Sequence, residues 1–139
     1  MLSKEIEVSH ISLLNYLSYL QKVQALLLLD KEASGIKQLT KPEKIYLGNT
    51  NYAYALGGEK TDIGNVRETF FFNQTAVKHK VTYSSQIDFT LNETYNFEIG
   101  GKNKIQKQLA GVENGYLALD NIEIGFNNEI PFWLFGLMY

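Results

Sequence analysis

Cysteine is absent from this chain, which removes disulfides, thiolate zinc sites and thiol nucleophiles together and suits a reducing cytosol. Histidine is nearly as scarce. His10 and His79 lie far apart in the sequence, so zinc chemistry has few ligands to draw on. No run approaches the roughly 18 to 20 apolar residues that a membrane span needs, and the start MLSKEIEVSH lacks the basic-then-apolar pattern of a secretion signal. Neither a GxxxxGK[ST] phosphate loop nor a GxSxG nucleophile elbow occurs, which excludes ATP hydrolysis by the first route and gives no support to serine hydrolysis by the second. A basic excess is missing too: the formal net charge is -2, which argues against tight, sequence-independent nucleic-acid binding by the chain alone. These absences predict a soluble, cytoplasmic protein that does not enter membranes.

What the chain has is apolar and aromatic material for a core. Of its 139 residues, 45% are hydrophobic and 13% aromatic, enough to fold without covalent staples. Residues 1–50 read as one unit. In SHISLLNYLSYLQKVQ, Leu13, Tyr16, Leu17, Leu20 and Val23 recur at helical spacing, Ser9 stands where an N-cap belongs, and Ser12, Asn15, Ser18 and Lys22 line the other side. LSKEIEV before it predicts a short helix. ALLLLDKEASGIKQLTKPEKIYLGN after it predicts a hairpin whose loop carries Ser34, Gly35 and Pro42. Helix, turn, helix, hairpin is the order of a winged helix with its first helix missing.

Residues 51–139 predict a mixed α/β unit. NYAYAL reads as a short helix, GGEKTDIG as a loop, and NVRETFFFNQTAV as a helix with Val66, Phe70 and Phe71 on one side. KHKVTYS, QIDFTL and YNFEIG alternate as three short strands. NKIQKQLAG reads as a helix ended by Gly111, GYLALDNIEIGF supplies one or two more strands, and PFWLFGLMY forms a closing element that packs on the core.

The chemistry concentrates in QIDFTLNETYNFEIGGKNK, residues 86–104. Asp88 and Glu98 sit in adjacent strands with lysines close behind, and carboxylates plus a lysine are the minimal kit for a metal-dependent phosphodiesterase. Phe97 and Ile99 should face away from Glu98, and Asp88 shares its face if the strands pair in that register. Gly100 and Gly101 permit a sharp strand exit.

This pattern resembles the restriction-endonuclease-like PD-(D/E)xK superfamily, whose lysine lies two residues after the second acid. Gly100 holds that position here. The resemblance assigns Asp88 and Glu98 to the acid pair, Lys102 to a displaced lysine, and Glu68 to an auxiliary acid on the preceding helix, with Mg²⁺ or Mn²⁺ as the metal. Three of these residues also have a plainer reading: Glu68 as an exposed acid beside Arg67, Asp88 as a strand acid held in a turn or an ion pair, Lys102 as a solvated lysine.

KPEKIYLGNTNYAYAL, IGNVRETFFFNQ, IDFTL, FEIGGKNK and NEIPFWLFGLMY together resemble the carboxy-terminal end of a family of bacterial and archaeal AAA-type ATPases. Those proteins carry a P-loop ATPase, a winged helix and a final nuclease-like domain of unknown function. The resemblance implies an α/β fold with an α-β-β-β-α-β restriction-endonuclease-like core (residues 51–139) behind a partial winged helix (residues 1–50). It also implies that the chain is the tail of a larger protein. Two functions stand against each other. One is a non-catalytic binding or regulatory module that contacts the ATPase portion of its parent, a homologous chain as in a homodimer, or nucleic acid. The other is a divalent-metal nuclease.

Overall fold

The computed structural model describes residues 7–31 and 41–138. The short helix expected over LSKEIEV falls almost wholly outside these residues, and the loop positions Ser34 and Gly35 fall wholly outside them. The described chain is a mixed α/β protein with a two-stranded and a five-stranded sheet.

Helix α1 (His10–Lys22) begins where an oxygen can take a free amide: the Ser9 hydroxyl accepts from the Ser12 N–H at 3.0 Å. The expected inward stripe is rotated. Leu14 is the buried residue, whereas Tyr16, Leu20 and Val23 are 51%, 42% and 72% exposed. The helix is apolar on more than one side, and only the side carrying Leu14 is covered by the described residues. The following leucines form β1 (Leu26–Leu29), which pairs antiparallel with β2 (Lys44–Leu47), so the expected hairpin strands are present.

Helix α2 (Thr50–Gly57) is capped by the Asn49 side chain. Helix α3 (Ile63–Thr75) is capped by Asp62, whose Oδ1 accepts from the Gly64 N–H at 2.8 Å. Of the side predicted for α3, Phe71 is fully buried, while Val66 and Phe70 are half-buried. Thr69, Phe72 and Thr75 complete the inner face. Buried Thr75 is satisfied within the helix by donating to the Phe71 carbonyl at 2.7 Å.

The large sheet runs β3 (Val81–Thr82), β4 (Phe89–Leu91), β5 (Tyr95–Gly101), β6 (Gly115–Asp120) and β7 (Glu129–Pro131), in that spatial order. The first two pairings are antiparallel and the last two parallel. The helix expected between β5 and β6 is reduced to one 3-10 segment, Gln106–Leu109. Extended backbone at Ile105 (φ -100°, ψ 152°) and at Ala110 (ψ 117°) stops it at both ends, and Gly111 at φ 78° turns the chain toward β6. A closing 3-10 segment, Phe132–Leu137, buries Phe132 and Phe135.

Alternation along β5 and β6 separates two apolar layers. Phe97, Ile99 and Ala118 join Phe71, Phe72, Phe89, Phe132 and Phe135 on one face. Leu117 and Leu119 join Ile87 and Leu109 on the other. Leu29 and Tyr46 from the hairpin belong to the first cluster, so residues from both expected units share one core. Among the described residues no helix is long and apolar enough to cross a membrane.

Candidate functional site

Register places the acids. Phe89 pairs with Phe97 at the last rung of β4 and β5, and Asp88 lies in the bend just before it, beside Glu98. Glu98 pairs with Leu117, and Gly100 with Leu119, across β5 and β6, which puts Glu98 and Gly100 on the side of the second cluster, away from α3. The two acids are linked reciprocally through the backbone: the Asp88 N–H donates to Glu98 Oε2 at 3.3 Å, and the Ile99 N–H donates to Asp88 Oδ2 at 2.9 Å.

The lysine that reaches them is Lys104. Its ammonium donates to Glu98 Oε1 at 2.6 Å and to the Ile99 carbonyl at 2.6 Å, and lies 3.5 Å from Asp88 Oδ2. Lys102, the position expected to supply the cation, is exposed. The turn at the end of β5 decides between them. The Lys104 N–H bonds the Gly101 carbonyl at 2.9 Å, closing a turn with Lys102 and Asn103 at its outer corners and Lys104 returning to the sheet.

Gly100 makes that return possible. A β-carbon at position 100 would sit 2.2 Å from Lys104 Cδ and 2.8 Å from its Cβ, so the aliphatic stem of Lys104 fills the space a side chain at 100 would need. The residue standing where the superfamily pattern has its lysine is thus the residue over which another lysine arrives. Gly100→Ala is expected to expel the Lys104 stem and to destabilise the fold by roughly 1 to 3 kcal/mol, the range for overpacking. Urea denaturation would measure it, and an unchanged midpoint would mean the stem does not lie there.

Glu98 is 3% exposed. Burial pushes its carboxyl above the usual range, the Lys104 hydrogen bond pulls it back, and the Asp88 charge adds to the rise. The folded protein therefore holds this proton more tightly than the unfolded chain does. Its contribution to stability is fully present below the unfolded pKa and is lost as pH rises through the folded one. Urea midpoints of the wild type and Glu98→Gln measured from roughly pH 4 to 8 should differ in slope, with the wild type losing more stability across the rise. Parallel curves would remove Glu98 as a titrating group in that window.

Glu68 is held apart from this pair. It lies on α3, and its Oε2 accepts from the Tyr46 hydroxyl at 2.5 Å and from Lys44 at 3.2 Å. Burial, then the hydrogen bond to Glu68, raise the Tyr46 phenol well above its ordinary value. Among the described residues no three His, Cys, Asp or Glu side chains are grouped so as to share one metal ion. What the site offers a cation is Asp88, Glu98 and the Ile99 carbonyl, all hard oxygen donors of the kind Mg²⁺ and Mn²⁺ accept.

Sequence reasoning thus brought Asp88 and Glu98 together and separated neither Lys102 from Lys104 nor Glu68 from the pair. The spacing of Lys104 behind two glycines was the available signal for the first distinction. The fold and site define a mixed α/β protein in which a buried Glu98 and a partly buried Asp88 are closed by a lysine at the end of a central strand. No family model, curated protein or solved structure matches the chain.

Proposed function

We propose that the chain is a non-catalytic binding and regulatory module, a restriction-endonuclease-like α/β scaffold behind a partial winged helix at the carboxy-terminal end of an AAA-type ATPase. The observation that carries this reading is the Lys104 ammonium between Glu98, Asp88 and the Ile99 carbonyl. It places a built-in cation against a carboxylate that is almost fully buried, which satisfies the acids without a metal. The two described clefts are lined by other residues. Exposed Ile11, Tyr16, Tyr19 and Val23 on and beside α1 support contact with the ATPase portion of the parent or with a homologous chain.

A divalent-metal nuclease is the second reading, favoured by the fit of Lys104 over Gly100, which supplies a lysine to the acid pair from a displaced position. In it, Asp88, Glu98 and the Ile99 carbonyl would hold Mg²⁺ or Mn²⁺, which would supply Lewis-acid activation of water and phosphate. Calorimetry with Mn²⁺ on the wild type and on Glu98→Gln separates the two. The module reading expects no saturable heat from either protein and no plasmid cleavage with Mg²⁺ or Mn²⁺. Binding lost in Glu98→Gln, with cutting abolished by Asp88→Ala, would replace it with the nuclease.

A further inference from the structure

A second constellation lies at the carboxyl ends of the parallel strands β5 and β6, on the side facing α2 and α3. Gly101 and Asp120 pair there in register, at the end of a parallel sheet where α/β proteins usually hold ligands. Arg67 of α3 reaches over this point. Its Nε donates to Asp120 Oδ2 at 3.0 Å, which fixes the plane of the guanidinium. Its two terminal nitrogens lie 3.6 and 3.7 Å from where a β-carbon on Gly101 would be, and among the described residues no partner engages them. A cleft of about 380 Å³ opens beside the guanidinium, within the size range of small-molecule sites. Tyr54, Phe70, Phe132 and Trp133 line it with Arg67 and Asp120, and Tyr54 and Trp133 are 50% and 56% exposed.

Each part has a matching ligand group. The free guanidinium edge suits two oxygens of a phosphate. The Asp120 carboxylate, already orienting Arg67, can accept from a sugar hydroxyl. Half-exposed aromatic rings are platforms for a planar base, and stacking of this kind tolerates any base. We infer that this cleft binds a nucleoside phosphate, with the phosphate on the terminal nitrogens of Arg67 and the base against Trp133 and Tyr54. The site is separate from the acid pair and does not depend on how that pair functions. The same chemistry is offered by a free mononucleotide and by one residue of a single strand.

Trp133 is the sole tryptophan, so its fluorescence reports on the cleft directly. The full chain would be titrated with AMP, with adenosine and with a short single-stranded oligoadenylate. Saturable quenching by AMP, weaker for adenosine and weakened roughly tenfold to a hundredfold by Arg67→Gln, is expected for a free nucleotide. Quenching by the oligoadenylate alone, with the same Arg67 dependence, supports the site and assigns it to a strand. Tyr54→Ala, at an exposed position, should weaken binding roughly fivefold or more, and it carries the test if Arg67→Gln does not fold. No saturable quenching by AMP or oligoadenylate, equal affinity for adenosine and AMP, or affinity unchanged in the variant that folds would overturn the inference.

Discussion

Lys104→Met is expected to destabilise the protein by about 3 kcal/mol at neutral pH, the lower end of the range for removing one partner of a buried ion pair. The lower end applies because the Lys104 side chain is itself 23% exposed, whereas the Glu98 side chain is 4% exposed. Methionine keeps most of the stem that packs over Gly100, so the loss isolates the ammonium. Without it, Glu98 and Asp88 confront each other with one hydrogen bond donor fewer, and the Ile99 carbonyl loses the same donor. The cost should shrink as pH falls. Lys104 is one of the groups holding the Glu98 proton affinity down, so its removal raises that affinity further, and protonation then relieves the isolated charge. The double variant Gly100→Lys, Lys104→Gly, which also removes the β-carbon that would stand 2.8 Å from the new one, moves the cation back to the strand itself, two residues beyond Glu98 and on its face. It should recover part of the loss. Urea denaturation of the three proteins decides the matter, and a single variant as stable as the wild type would show that Lys104 does not neutralise the pair.

Phe71→Ala should cost roughly 3 to 5 kcal/mol, the range for emptying a fully buried phenylalanine site. Phe71 has no exposed surface, and its ring lies 5.2 Å from that of Phe89, 5.1 Å from Phe97 and 4.7 Å from Phe135. These partners come from β4, β5 and the closing 3-10 segment, and Phe71 itself from α3, so collapse around the cavity would require four elements to move together. Domains of ordinary stability have about 5 to 15 kcal/mol to lose, and the variant should therefore melt well below the wild type. A loss under about 1 kcal/mol would mean that the rings repack freely and that the core lacks the interlocking described above.

Much of the fold is local enough to read from the chain. Ser9 as a helix cap, the strands of the hairpin after α1, the helix read over residues 65–77 and found two residues earlier at 63–75, and the alternation that turns Phe97 and Ile99 away from Glu98 all depend on neighbours within a few positions. The misreadings share a different cause. The apolar stripe of α1 has two flanks, and which one is covered depends on where β1 lies. The segment after Lys104 has helical composition, yet extended backbone at Ile105 holds it to a single 3-10 segment. In the site, the acid pair was legible because two short alternating strands with a tight connection leave little freedom of register. The lysine was not, because Lys102 and Lys104 differ only in their places in one turn.

Composition and spacing thus sufficed to exclude thiol and P-loop chemistry, to mark a mixed α/β chain and to pair Asp88 with Glu98, since these follow from residue types and from the two-residue period of a strand. Three-dimensional folding chose Lys104 over Lys102, tied Glu68 to Tyr46 and Lys44, and set Arg67 beside Asp120. Those outcomes join residues distant in sequence or divided by a turn, where the missing β-carbon of Gly100 and the register of β5 on β6 settle who meets whom.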